Sequence, residues 1–115
     1  MVCEKRDEIF SLIEKYKDIL FIVEGKKDLA ALLGLGVRRI RMLDCALYKV
    51  VEEVAASEKE VVVLTDMDKK GKELYGKLVS GLSRRGVVVR DELREALFRA
   101  RVSHVEGLAR FLKED

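Results

Sequence analysis

The stretch VVVLTDMDKKG, residues 61–71, decides the fold of this 115-residue chain. Its first half is a run of apolar and β-branched residues, which is typical of a strand buried on both faces of a parallel sheet. Its second half places two carboxylates, Asp66 and Asp68, directly after that strand. Because like charges repel at short range, the pair indicates either a cap for the next helix or a site that binds a cation.

A second apolar run ends in the same way, since residues 19–23 stop at Glu24 and Gly25. Further strands are predicted at residues 37–43 and 87–89. Helices are predicted before, between and after the strands, at residues 4–17, 28–33, 46–56, 69–85 and 91–100, and at the end of the chain. This alternation predicts one α/β domain over residues 1–115, in which a parallel sheet is covered by helices on both faces.

The composition argues against several classes of protein. The chain is 49% hydrophobic and 38% charged, with a net charge of only +2, so it is not a strongly basic nucleic-acid binder. Cys3 and Cys45 have no metal-binding or disulfide spacing. No apolar run reaches the ~20 residues of a membrane span, and the charged N-terminus is unlike a signal peptide, so a cytoplasmic protein is expected. The absence of Asn, Gln, Trp and Pro, with abundant Glu, Lys and Arg, is thermophile-like.

The two acidic motifs are expected to meet at one edge of the sheet. All parallel strands point their carboxyl ends to the same edge, and ligands bind there at the point where the strand order reverses. If the strands before Glu24 and Asp66 are neighbours across that point, Glu24, Asp66 and Asp68 converge. Such oxygen ligands favour a hard divalent ion, Mg²⁺ or Mn²⁺.

Basic residues follow both acidic motifs and are candidates for binding phosphate groups. Lys26 and Lys27 follow Glu24, and Lys69 and Lys70 follow Asp68. Nucleic-acid backbone contacts are also expected from five arginines: Arg38, Arg39, Arg41, Arg84 and Arg85. Taken alone, Lys69, Lys70 and Lys72 are most simply explained as a solvated helix face.

The segments VEGKKD (residues 23–28) and TDMDKKG (residues 65–71) together resemble the two signature motifs of the Toprim domain. This domain is found in topoisomerases, bacterial-type primases, overcoming-lysogenization-defect nucleases, RecR-type recombination proteins and the nuclease that matures 5S ribosomal RNA. The resemblance covers nearly the whole chain and is that of a small stand-alone protein of the kind common in archaea. It implies a three-layer Rossmann-like fold with a mainly parallel sheet of about four strands.

The resemblance also implies functional roles. Glu24 matches the general acid/base residue, which also contacts metal in some members, and Asp66 and Asp68 match the Mg²⁺ ligands. The implied activity is Mg²⁺-dependent phosphodiester chemistry on RNA or DNA, most simply that of a nuclease. The alternative is a non-catalytic nucleic-acid-binding module, or one that needs a protein partner. A complete topoisomerase or primase is not expected, because 115 residues leave no room for the further domains that those enzymes need.

Two other interpretations remain open at this stage. The segment SHVEGL, residues 103–108, resembles a motif of some small Toprim proteins, which makes His104 and Glu106 possible accessory residues; alternatively, Ser103 and Glu106 form a capping box for the last helix. The pair Asp66 and Asp68 also resembles the first motif of haloacid dehalogenase-type phosphatases, although Lys70 stands where those enzymes have Thr or Val.

Overall fold

The structure, a computed structural model, describes residues 2–113 of the chain and the side chains of residues 5–112. The strands of this part are β1 (Leu20–Val23), β2 (Arg39–Met42), β3 (Glu60–Leu64) and β4 (Val88–Arg90). The helices are α1 (Val2–Tyr16), α2 (Lys26–Gly34), α3 (Leu47–Ser57), α4 (Lys69–Arg84), α5 (Glu92–Arg99) and α6 (Leu108–Lys113). A 3-10 helix, Val105–Gly107, leads directly into α6.

The strands form one sheet in the order β2-β1-β3-β4, and every pair is parallel. Successive side chains of a strand point to opposite faces, so the two central strands supply two cores. Phe21 and Val23 pack on one face with α1, α2, α5 and α6, whereas Ile22 and Val63 pack on the other with α3 and α4. The sheet therefore lies between two layers of helices, and the predicted three-layer α/β fold is confirmed.

Local capping shifts some element boundaries from their predicted positions. Helix α2 begins at Lys26, two residues earlier than predicted, because the Asp28 carboxylate accepts a hydrogen bond from the Gly25 N–H and closes the first turn. Helix α5 begins at Glu92, one residue later than predicted, and the side chain of Asp91 before it forms no capping hydrogen bond. His104 is the residue before the 3-10 helix that leads into α6, and again no side-chain cap forms there. The predicted capping box of Ser103 and Glu106 is therefore wrong.

Helices α2, α4 and α5 end in the same hydrogen-bonded motif, in which the second residue after the helix adopts a left-handed conformation. That residue is Gly36 after α2, with φ of 93°, and Gly86 after α4, with φ of 82°. After α5 it is Arg101, with φ of 60°. A side chain in this conformation destabilises the backbone by about 1 kcal/mol or more relative to glycine.

Within residues 2–113, no helix combines the length and the apolar character needed to cross a bilayer.

Candidate metal site at the carboxyl edge of the sheet

The first acidic motif meets the second between the two central strands. The strand order reverses between β1 and β3, and Val23 pairs with Leu64 at the carboxyl edge of the sheet. Immediately beyond this pair, the Asp66 N–H donates a hydrogen bond of 2.7 Å to Glu24 Oε2, although 42 residues separate the two in sequence. The parallel sheet thus brings Glu24 and Asp66 together, as the sequence pattern predicts.

A distant segment of the chain holds the loop that carries Asp66. The Val105 N–H donates to Asp66 Oδ1 at 2.9 Å, and the Met67 N–H donates to the Ser103 carbonyl at 2.8 Å. These two bonds join the loop after β3 to the segment that leads into the 3-10 helix. They fix the orientation of the Asp66 carboxylate and bring His104, which lies between Ser103 and Val105, to the site.

Asp68 serves as the N-cap of α4. Its Oδ1 accepts a hydrogen bond of 2.7 Å from the Gly71 N–H, so the helix-cap interpretation of this residue is confirmed. The cap uses only one carboxylate oxygen. The other, Oδ2, lies 3.9 Å from His104 Nε2. Capping the helix and contributing to a metal site are therefore compatible roles for Asp68.

Among the described residues, Asp66, Asp68 and His104 form the cluster best placed to hold a metal ion. Each offers one ligand atom, and these atoms lie within 4.8 Å of one another. The set differs from the predicted one, because His104 belongs to it, whereas Glu24 instead accepts the Asp66 N–H. Glu106 is exposed and lines a shallow surface depression with Lys27 and Ala30, outside this cluster.

Gly71 is required by a close approach of two backbone segments. A Cβ added at this position would lie 2.0 Å from the Asp66 carbonyl oxygen, far inside van der Waals contact. Thr65, which is buried, donates its Oγ1 hydrogen to the Gly71 carbonyl at 2.7 Å. The first turn of α4 is thus pressed against the loop that carries Asp66, and only glycine fits there.

The buried side chain of Arg94 also supports this loop. No sequence pattern predicted a role for this residue. It is only 8% exposed, its guanidinium lies 3.9 Å from the centre of the Tyr75 ring, and it donates to the Asp66 carbonyl at 3.2 Å. The pKa of Arg94 is lowered, because the effect of burial exceeds the opposing effects of Tyr75, Glu95 and the carboxylates of Asp66 and Glu24. The signal in the sequence was an arginine within the apolar face of α5.

Asp28, in the first turn of α2, is a second candidate functional residue, and the sequence motifs predicted no role for it. Its side chain is 7% exposed and accepts the Gly25 N–H at 3.1 Å. Burial raises the pKa of the Asp28 carboxyl, the hydrogen bond from Gly25 lowers it, and the charges of Asp66, Glu24 and Glu106 raise it further. The carboxyl edge of the sheet is therefore a region of concentrated negative charge.

The predicted phosphate-binding lysines flank this acidic region. Lys26 and Lys27 lie in the first turn of α2, Lys69 and Lys70 lie in the first turn of α4, and all four are exposed. Lys70 also lines a cavity of about 200 Å³ with Glu24. The topology thus places the four cations beside the carboxylates.

Of the five arginines expected to contact a nucleic-acid backbone, four lie far from the acidic site. Arg38 and Arg39 lie at the amino end of β2, and Arg84 and Arg85 lie at the C-terminal end of α4, at the edge of the sheet opposite the acidic site. Arg39 pairs with Glu58, and Arg41 pairs with Glu53. Arg41 lies one residue before the carboxyl end of β2, in register with Ile22, so it is nearer to the acidic edge than the other four. The nucleic-acid contacts expected of these arginines stay a prediction.

The comparisons with known proteins identify the family. The chain is 38% identical over 112 residues to a UPF0292 protein of Thermococcus gammatolerans, covering 94% of this chain and 84% of that protein. It is 31% identical over 105 residues to a UPF0292 protein of Methanocaldococcus jannaschii, covering 82% of each. The chain therefore belongs to the UPF0292 family. No protein-family model matches it.

A solved structure supports the fold. The structure of a protein from Aquifex aeolicus is similar to this one with a TM-score of 0.79 and 25% sequence identity, over 87% of this chain and 94% of that one. Such a score over most of both chains corresponds to the same arrangement of strands and helices.

Proposed function

We propose that this protein is a small Toprim-type nuclease that cleaves RNA or DNA with the help of Mg²⁺ or Mn²⁺. The observation that carries the proposal is the bond between Glu24 and Asp66, which joins the two Toprim-like motifs where the strand order reverses. This is the position at which open α/β sheets bind ligands. Asp68 adds a third carboxylate two residues beyond Asp66.

The donors at this edge fit a divalent ion. Asp66 and Asp68 each engage one carboxylate oxygen with a backbone N–H, which orients the group and leaves the second oxygen for a ligand. Carboxylate oxygens are the ligands preferred by Mg²⁺ and Mn²⁺, and the imidazole of His104 extends the range toward softer metals. When bound, the ion would polarise the scissile phosphate and neutralise charge that develops on it.

Glu24 is placed for proton transfer. Its Oε2 is held by the Asp66 N–H, so the second oxygen of the carboxylate projects from a fixed group. It would accept a proton from the attacking nucleophile or return one to the leaving oxygen, a role in which a positioned carboxylate contributes about 100-fold or more to the rate.

The flanking lysines would bind the substrate. Lys26 and Lys27 on one side and Lys69 and Lys70 on the other present ammonium groups beside the carboxylates. Contacts to phosphate groups hold a nucleic-acid strand without selecting its sequence. Specificity would then come from substrate shape or from a protein partner.

A binding module without catalytic activity is the second candidate. It is favoured by the capping role of Asp68, which gives this carboxylate a structural purpose in the absence of any reaction. In this case the acidic edge would bind a metal and a phosphate backbone but would not cut it.

Cleavage assays with a panel of structured RNAs and DNAs, with Mg²⁺, Mn²⁺ or EDTA, test the proposal. We expect metal-dependent cleavage by the wild type and a decrease of about 100-fold or more for Glu24→Gln, since the amide cannot transfer the proton. Glu52→Gln removes an exposed carboxylate of α3 and serves as the matched control. Wild-type protein that is as inert as Glu24→Gln on every substrate contradicts the nuclease, and metal-dependent binding without turnover selects the binding module.

A further inference from the structure

Arg101 occupies a position that glycine fills at two other helix ends of this fold. After α2, α4 and α5, the same pair of backbone hydrogen bonds closes the helix; after α5 they run from the Arg101 N–H to the Phe98 carbonyl and from the Val102 N–H to the Leu97 carbonyl. Gly36 and Gly86 adopt the left-handed conformation without steric conflict, whereas Arg101 adopts it against the preference of an L-residue. The backbone conformation favours glycine here and gives no reason for an arginine.

The side chain of Arg101 lines a cavity beside the acidic cluster. The cavity has a volume of about 270 Å³ and is lined by Arg101, Val102, Ser103, His104, Gly107, Arg110 and Phe111. Its charged and titratable lining groups are two guanidinium groups and an imidazole, with no carboxylate. His104 belongs both to this cavity and to the cluster with Asp66 and Asp68, so the cavity adjoins the candidate metal site.

The polar groups of the cavity are held in place. The Ser103 hydroxyl lies 3.0 Å from His104 Nδ1, which fixes the ring so that Nε2 faces Asp68. The Ser103 carbonyl accepts the Met67 N–H, which ties the cavity wall to the loop that carries Asp66. A group bound here would therefore lie at a fixed position relative to the carboxylates.

We propose that this cavity binds a backbone phosphate of the nucleic-acid strand that lies at the carboxylates, with Arg101 as its main contact. A guanidinium matches two phosphate oxygens with parallel N–H groups, and the Ser103 hydroxyl offers a further donor. The proposal rests on the proposed function, because it assumes that nucleic acid binds at the acidic edge. It assigns the subsite that orients the strand across that edge.

The test is Arg101→Gly, which separates stability from binding. Removing a strained side chain should raise the melting temperature, by about 3 °C. The same change should weaken binding of fluorescein-labelled single-stranded 12-mers of RNA and DNA about tenfold. The slope of log affinity against log salt should also become shallower by about 0.7, as expected for the loss of one phosphate contact.

The matched control is Lys59→Gly. It also removes one positive charge, from an exposed position directly before β3 at the opposite edge of the sheet, so it should leave the affinity and the salt dependence unchanged. Binding is measured by fluorescence anisotropy in EDTA and in Ca²⁺, and Mn²⁺ binding by electron paramagnetic resonance confirms that the carboxylates of Arg101→Gly are intact.

The outcomes distinguish the subsite from the proposed function. Unchanged oligonucleotide affinity of Arg101→Gly, beside normal binding and cleavage by the wild type, overturns the subsite alone. Wild-type protein that binds neither oligonucleotide overturns both proposals. A labelled glutamate-rich peptide is a further arm, and peptide binding that depends on Arg101 while oligonucleotide binding does not would assign the cavity to a protein partner. If Arg101→Gly loses more affinity for one of the two oligonucleotides, RNA or DNA, that kind of strand is the one whose phosphate occupies the cavity.

Discussion

Gly71 is the residue at which the packing of the site is tightest. Because a Cβ here would lie 2.0 Å from the Asp66 carbonyl oxygen, an alanine must displace the backbone that presents Asp66. We expect Gly71→Ala to reduce the free energy of unfolding by about 2 kcal/mol, the usual effect of overpacking against backbone, and to weaken Mn²⁺ binding. Urea unfolding and Mn²⁺ titration measure the two effects.

Gly76→Ala is the matched control for that substitution. Gly76 lies in the same helix and has open space around its Cα, so alanine should stabilise the protein by about 0.5–1 kcal/mol through its better helix propensity. Equal effects of the two substitutions would mean that the contact between Gly71 and Asp66 does not constrain the loop.

At the residue scale, the sequence was informative where a motif carried the chemistry. Glu24, Asp66 and Asp68 were all predicted to meet at one edge, and the structure brings Glu24 and Asp66 into direct contact. Arg94 was missed because its role depends on Tyr75 and on the Asp66 carbonyl, neither of which lies near it in sequence. Contacts of this kind are set by tertiary packing and leave no local pattern.

At the scale of the element, Asp68 links the start of α4 to the metal site. Asp68→Ala removes the hydrogen bond to the Gly71 N–H and should reduce the free energy of unfolding by about 1 kcal/mol. Asp68→Ser keeps an oxygen that caps the helix and should retain most of that stability. Both substitutions remove the carboxylate and should weaken Mn²⁺ binding, as measured by electron paramagnetic resonance, with unfolding followed in EDTA.

The two variants therefore separate the cap from the ligand. If Asp68→Ser binds Mn²⁺ as tightly as the wild type, the carboxylate is not a metal ligand and Asp68 acts as a cap alone. If Asp68→Ala unfolds at the same urea concentration as the wild type, the cap contributes nothing to stability.

Elements were predictable to the extent that their signals are local. The central strands β1 and β3 are continuous apolar runs and were found within one residue of their observed bounds. The segment from Ser103 to Val105 was misjudged, because its backbone bonds go to Asp66 and Met67 rather than to its own helix. The Ser103 hydroxyl, which the capping pattern would use, lies 3.0 Å from His104 Nδ1 instead, and the sequence does not reveal this.

At the scale of the whole molecule, the acids at the carboxyl edge affect the pH dependence of stability. Burial raises the pKa of Asp28 above its ordinary value of 3.8, with Glu24, Asp66 and Glu106 adding negative charge around it. The folded state therefore holds the Asp28 proton more tightly than the unfolded state does. This carboxyl favours folding at low pH and opposes it progressively as the pH rises from 3.8 through its folded pKa.

Asp28→Asn tests this effect because the amide oxygen still accepts the Gly25 N–H but cannot ionise. In EDTA, we expect the variant to be more stable than the wild type at neutral pH, with the difference shrinking as the pH falls through the raised folded pKa of Asp28 and vanishing near its ordinary value of 3.8. Urea midpoints between pH 3 and pH 7 measure it, and Asp7→Asn, at an exposed position of α1, is the control. A constant difference across this range would show that Asp28 does not titrate as its burial implies.

The arginines of β2 affect how readily copies of this protein associate through the edge of the sheet. Strand β2 is at one border of the sheet, where unpaired peptide groups invite a strand from another molecule. Arg39 and Arg41 place charges along that border. Arg39 forms an ion pair with Glu58, and Arg41 forms one with Glu53. Strand-by-strand stacking would have to bury or break these ion pairs, which guards the protein against aggregation when it is heated or concentrated.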